Sequence, residues 1–179
     1  MHIDVSRELD RVILSDHHDP FQVLGYHVLP HDPDNAIIRA FLPHAESVRL
    51  LIGEQRLDMY RMRDEGLFEI VIPAVKGAAP DYMFEVSCYD GLVRELHDPY
   101  KHLPLLSEYD RHLFNSGTHY ELYNRLGAHP AVSDGIEGTV FRVWAPSARR
   151  VSVIGDFNFW DGRVHQMRVL GSAGVWEIF

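Results

Sequence analysis

Apolar and polar residues alternate through most of this chain, with a short period that predicts strands rather than helices. Ile38, Ala40 and Leu42 alternate with polar neighbours, as do Val48, Leu50 and Ile52, and later Phe141/Val143 and Val151/Val153. Prolines and Gly/Asp turns separate these runs, and short strands at such spacing predict antiparallel sandwiches. Helical spacing is confined to two places. Ile3, Leu9, Val12 and Ile13 form a stripe before the Asp16–Pro20 turn. Ser107 followed by Asp110 reads as an N-cap, with Gly117 as the stop.

The pattern occurs twice. Leu24-Gly25-Tyr26-His27 is echoed by Leu126-Gly127-Ala128-His129. Residues 37–48 align with 140–151, at the offset that carries Pro43 onto Pro146. Gly66-Leu67-Phe68-Glu69-Ile70 answers Gly174-Val175-Trp176-Glu177-Ile178 at a larger offset, so about five extra residues lie within the second copy. Gly155-Asp156-Phe157-Asn158-Phe159-Trp160-Asp161-Gly162 is where they fall. The first copy continues through Asp81–Val86, an Asp90-Gly91 turn and Glu95–Pro99, with no counterpart after Phe179. The expected fold is therefore all-β: two tandem immunoglobulin-like antiparallel β-sandwiches with short helices, the second incomplete. The expected organisation is a module over 1–105 with a short leading helix, a helical connector over 106–123, and an incomplete module over 124–179.

Composition narrows the functions open to such a chain. A net charge of −9 with no Lys/Arg cluster argues against nucleic acid, which is held by displaced counterions. Arg149-Arg150, the densest basic spot, reads as a solvated strand edge. No apolar run approaches the roughly 20 residues of a membrane span, and the N-terminus lacks a signal-peptide pattern, so cytoplasm is the expected location. The single Cys88 lies in an alternating apolar run and reads as a small buried hydrophobe. The 12 histidines are scattered without zinc-site spacing, and His17-His18 reads as part of a turn; no metal and no cofactor is expected.

The punctuating motifs also carry a family resemblance. His18-Asp19-Pro20-Phe21 with Leu24-Gly25 and His27 resembles the opening of bacterial 1,4-α-glucan (glycogen) branching enzymes. Thr118-His119, Tyr123 and Leu126-Gly127-Ala128-His129 resemble the entry to their second module. Phe141–Pro146, Ala148–Val153, Gly155–Gly162 and Gly174–Glu177 resemble strands of a family-48 carbohydrate-binding module. The resemblance implies a non-catalytic N-terminal fragment that holds and orients α-glucan for its own downstream catalytic barrel. The parent would be a retaining transferase of two carboxylates, forming α-1,6 branches. No catalytic residue is carried over, because no acid here lies in the family's catalytic motifs. A free-standing glycogen-targeting module and the front of a debranching-type enzyme remain alternative readings.

The candidate contact to sugar is Trp160, since a flat indole suits the apolar face of a pyranose. Asn158 and Asp161 flank it as hydrogen-bonding partners. The competing reading has the Trp160 ring capping the small core. Phe157 is expected to pack inward, and Trp144 and Trp176 to pack in the core. The first copy has Gly53-Glu54-Gln55-Arg56 at the equivalent turn, with no aromatic ring, and reads as a structural or chain-steering module.

Overall fold

The computed structural model describes residues 5–77 and 79–179, which form two compact units. Residues 5–9 and 21–101 make the first, and residues 10–20 and 102–179 the second. The pattern of strands alone leaves residues 10–20 with the first module; they group instead with the second. Helix α1 (Val5–Ile13) buries Leu9, Val12 and Ile13 as its stripe predicts. Ile3, the first position of that stripe, lies outside the described residues.

The first unit is a two-sheet antiparallel sandwich. Strands β1 (Gly25–Leu29), β2 (Asp32–Phe41), β5 (Tyr60–Arg63) and β6 (Leu67–Pro73) form one sheet in the order β1-β2-β6-β5. Strands β3 (Ala45–Ile52), β4 (Gln55–Asp58), β7 (Met83–Cys88) and β8 (Val93–Leu96) form the other, in the order β4-β3-β7-β8. Ile38, Ala40, Phe68 and Ile72 pack against Val48, Leu50, Phe84 and Val86 between the sheets. Burying each larger side chain there stabilises the unit by about 1.5–3 kcal/mol. Cys88 belongs to this core, as its alternation predicts. Gly91, at a φ of 79°, turns the chain between β7 and β8.

The second unit has one sheet, of strands β9 (Gly127–Ser133), β10 (Ile136–Trp144), β11 (Arg168–Leu170) and β12 (Val175–Ile178), ordered β11-β12-β10-β9. Val151 and Val153, expected on a strand, are reduced to a single bridge between Ser152 and Gln166. The equivalent β3 of the first unit is flanked by strands on both sides, whereas the backbone of residues 151–153 pairs with that of 165–167 on one side. Arg149 and Arg150 are no strand edge. Arg149 bonds Asp16 at 2.9 Å, and Arg150 donates to the Leu14 and Ser15 carbonyls.

One face of this sheet is covered by residues 102–126, including α2 (Glu108–Asn115). Ser107 caps α2 by accepting from the Asp110 amide. Gly117 at φ 67° ends it: the Gly117 amide bonds the Phe114 carbonyl and the Thr118 amide bonds that of Leu113, a Schellman closure. Leu106, Leu170 and Val175 pack under this cover. Beside them Glu177, 1% exposed, receives four donors. Its two oxygens accept from the Leu105 and Leu106 amides at 2.9 and 2.8 Å, from Arg142 at 2.7 Å and from Arg168 at 3.2 Å. A buried carboxylate is tolerated when its lone pairs are filled in this way.

Trp176 is buried as expected, its indole N–H on the Ala145 carbonyl. Trp144 is not. It is the last residue of β10 and 56% exposed, its N–H on the Ala173 carbonyl and its ring edge-on to Phe114. Strand parity places it toward the covered face, but the position lies at the margin of the cover.

Candidate functional site

The extra residues of the second copy form a compact turn, Gly155–Gly162, built around Asn158. A 3-10 turn over Asp156–Asn158 is followed by two non-glycine residues in the left-handed region, Phe159 at φ 56° and Trp160 at φ 60°. Such backbone costs about 1–2 kcal/mol per residue, so the surroundings must enforce it. Asn158 does much of that. Its side-chain oxygen accepts from the Gly155 amide, and its amide group donates to the Val153 carbonyl and to His165 Nδ1 at 3.0 Å. Asn158 is 3% exposed and faces the protein, not the solvent. The expectation that it would reach a sugar fails because the turn needs its hydrogen bonds.

Asp161 is likewise committed. Its carboxylate grips the Arg163 guanidinium through both oxygens, at 2.7 and 2.9 Å, and accepts from the Arg163 amide. Only 13% of its side chain is exposed. Hydrogen bonding to Asp161 raises the Arg163 pKa above its already high value. Asn158 and Asp161 thus lie in the same turn as Trp160, but as its framework.

Trp160 stands out from that framework, 63% exposed. Its indole N–H donates to Asp156 Oδ1 at 2.9 Å and its backbone amide to the Gly155 carbonyl at 3.0 Å. The ring is held in position without being covered. Phe157, expected inside, is also 63% exposed. Parity with Phe159 predicts its burial only on a strand; on a 3-10 turn, the burial of Asn158 turns both its neighbours outward.

His165 lies behind the turn, edge-on to the Phe157 ring at 5.4 Å between centroids. Burial lowers its pKa to about 4, so the imidazole is neutral near pH 7. Neutrality suits its partner, since Nδ1 must carry a lone pair to accept from the Asn158 amide. His17, the other histidine reading, accepts the Asp19 amide in the turn after α1, as expected.

Other polar features offer less to a ligand. A cleft of about 280 Å³ in the second unit is lined by Arg11, Asp16, His18, Pro146, Arg149 and Trp176. Arg11 and Arg149 bond Asp16 across it, and the Trp176 ring is buried. In the first unit, burial pushes the Asp98 carboxyl up to about 6 against hydrogen bonds from Tyr82 and the Tyr100 amide. Asp98 is 1% exposed, out of reach of a substrate. Gly53 turns between β3 and β4 with no aromatic ring, as the sequence indicates.

Residues 5–100 match the family described as alpha-1,4-glucan branching enzyme GlgB, N-terminal domain. The chain belongs to that family. Residues 125–179 of this GlgB-family chain match carbohydrate-binding module 48, described also as the isoamylase N-terminal domain. The 1,4-alpha-glucan branching enzyme GlgB of Cellvibrio japonicus is 43% identical over 98% of the chain, which corresponds to 24% of that protein. That of Thermobifida fusca is 45% identical over 96% of the chain and 23% of the protein. The chain therefore spans about a quarter of the length of these relatives. Among solved structures, a pullulanase mutant of Paenibacillus barengoltzii complexed with maltotriose is similar over 72% of the chain and 20% of its own length. There the identity is 19% and the TM-score 0.39, too slight a likeness to build on.

The turn that carries Trp160 lies within the part of this GlgB-family chain that matches the carbohydrate-binding module. Sequence reasoning found the turn through its extra residues and missed Phe157 and His165. The signal for His165 was its place among the polar residues that follow the turn. The signal for Phe157 was the polar Asn158, which a turn this tight must bury.

Proposed function

We propose that this chain is the N-terminal, non-catalytic part of a longer 1,4-α-glucan branching enzyme of glycogen synthesis, holding α-glucan for a downstream catalytic domain. One observation carries the reading: a tryptophan held by one hydrogen bond from its indole and one from its backbone amide, yet 63% exposed, on the module-48 part of the chain. A ring held in that way offers its face to a pyranose at little conformational cost. Within the second unit, residues 124–179 are the glucan-binding module and 106–123 its connector; the first unit steers the glucan. Asn158 and Asp161 serve by shaping the turn. The parent enzyme acts in the cytoplasm, and its transferase carboxylates lie outside this chain.

Trp160→Ala tests the reading by calorimetric titration with maltoheptaose. Loss of one aromatic contact of about 1 kcal/mol corresponds to roughly a fivefold weaker affinity, with the melting temperature almost unchanged. Unaltered affinity with a clear fall in melting temperature would make Trp160 architecture. Incubated alone with amylose, the chain is expected to leave the iodine spectrum unchanged.

A further inference from the structure

The turn exposes a second ring that is anchored as firmly as Trp160. The Phe157 ring lies over the α-carbon of Gly155, where an added Cβ would meet its Cε1 at 2.6 Å. Its edge is fixed against His165. Trp160 shares the Gly155 anchor, its amide bonded to the Gly155 carbonyl, and its indole donates to Asp156. Two aromatic rings, each 63% exposed, are thus held by one short turn. Both rings are held against the turn and open to solvent.

We infer that Phe157 is a second sugar-contact residue, and that it and Trp160 together engage neighbouring glucose units of one α-1,4-glucan. This rests on the reading of Trp160 as a sugar platform. The chemistry favours a glucan over a protein partner. Each pyranose offers an apolar C–H face ringed by hydroxyls, and small rigid rings separated by polar groups match that repeat. Asp156, exposed beside the indole, keeps one carboxylate oxygen on it and has a second to offer a hydroxyl. Gly155 is the residue that permits the arrangement, since any side chain there would displace the Phe157 ring.

The full chain is titrated with maltose and with maltoheptaose, following the aromatic carbon shifts of Phe157 and the indole N–H of Trp160 by NMR. Saturable shifts at both rings with the longer glucan are expected. Phe157→Ala is expected to weaken maltoheptaose binding three- to fivefold, and Phe157→Tyr, which keeps the ring, to stay within twofold of the parent. Either alanine variant, at Phe157 or at Trp160, should erase most of the advantage of maltoheptaose over maltose. If Trp160 responds to glucan while Phe157 neither shifts nor matters to affinity, the second contact is refuted and the Trp160 reading stands. If neither ring responds, both readings fall. Should Phe157→Ala disturb the turn, seen as a changed Trp160 indole shift without ligand, the parent titration and the tyrosine variant decide alone.

Discussion

Arg39 meets Glu69 in the first unit and Arg142 meets Glu177 in the second, at matching rungs of matching strand pairs. Around each pair the same devices recur. His27 and His129 each bond a leucine carbonyl three residues back, at 2.8 and 2.7 Å. Gly66 and Gly174 each take a positive φ beside a proline, with an amide just before that proline bonded to the glycine carbonyl. The copies differ in what was laid over this skeleton. Glu69 remains 21% exposed, with one arginine for a partner; Glu177 is covered, with two arginines and two amides. The first unit completes its sandwich with a second sheet. The second unit instead covers its sheet with residues 102–126 and carries an aromatic turn. A shared rung can thus be a half-exposed pair in one setting and the hub of a buried network in another.

The sharpest break of this comparison is to remove the shared carboxylate from each copy. Glu177→Ala strands two buried guanidinium groups and two amides, and is expected to cost about 3–5 kcal/mol. Glu69→Ala leaves a partly buried guanidinium without that carboxylate but within reach of water, at about 1–2 kcal/mol. All three tryptophans lie in the second unit, so indole fluorescence during urea unfolding reads that unit selectively. Equal losses in the two variants would mean that the cover over Glu177 adds nothing.

Acid and base should separate the units in opposite directions. His165 is lowered from 6.5 to about 4, so its contribution is whole above pH 6.5 and is lost as the pH falls toward 4. Asp98 is raised from 3.8 to about 6, so its contribution is whole below pH 3.8 and is lost as the pH rises through 6. Each swing is about 2–3 kcal/mol. Amide exchange followed residue by residue from pH 4 to 7 should show the two trends crossing. Asp98→Asn should flatten the trend of the first unit and His165→Gln that of the second; a common slope in both units, untouched by either variant, would contradict the assignment.

The two corner glycines should respond most alike. An alanine Cβ at Gly66 or Gly174 would sit 2.5 or 2.4 Å from the α-carbon of Pro43 or Pro146. Gly66→Ala and Gly174→Ala are each expected to cost about 2–3 kcal/mol. Thermal melting of the two variants should show similar losses. A tolerated substitution in only one copy would end the equivalence of the two corners.

Much of this was legible because the repeated features are local. Glycines before His27 and His129, prolines at strand ends and alternating apolar residues all act within a few residues of themselves. What escaped depends on distant neighbours. Arg149 and Arg150 are solvent-exposed as read, but lie off any strand, and their partners, Asp16 and the Leu14 and Ser15 carbonyls, are some 130 residues earlier. Trp144 has strand parity but sits at the edge of its cover. Asn158 and Asp161 have the right chemistry for a sugar, yet the turn consumes it. The alignment did place Arg39 over Arg142 and Glu69 over Glu177, but nothing local marks one pair for burial and the other for partial exposure.

The grouping of residues 10–20 with the second unit bears on the order of folding. Gln166 donates to the Val12 carbonyl across 154 positions, so that unit cannot close until nearly the whole chain has emerged. Tying residue 20 to residue 102 through an unfolded loop of about 80 residues would cost about 4 kcal/mol in chain entropy. The first unit removes that cost if it folds first, because it brings Phe21 against Tyr100, with ring centroids 5.0 Å apart. The first unit then acts as a clasp that delivers both ends of the second to one place. Its rate of folding should therefore set the earliest moment at which the tryptophan signal of the second unit can appear.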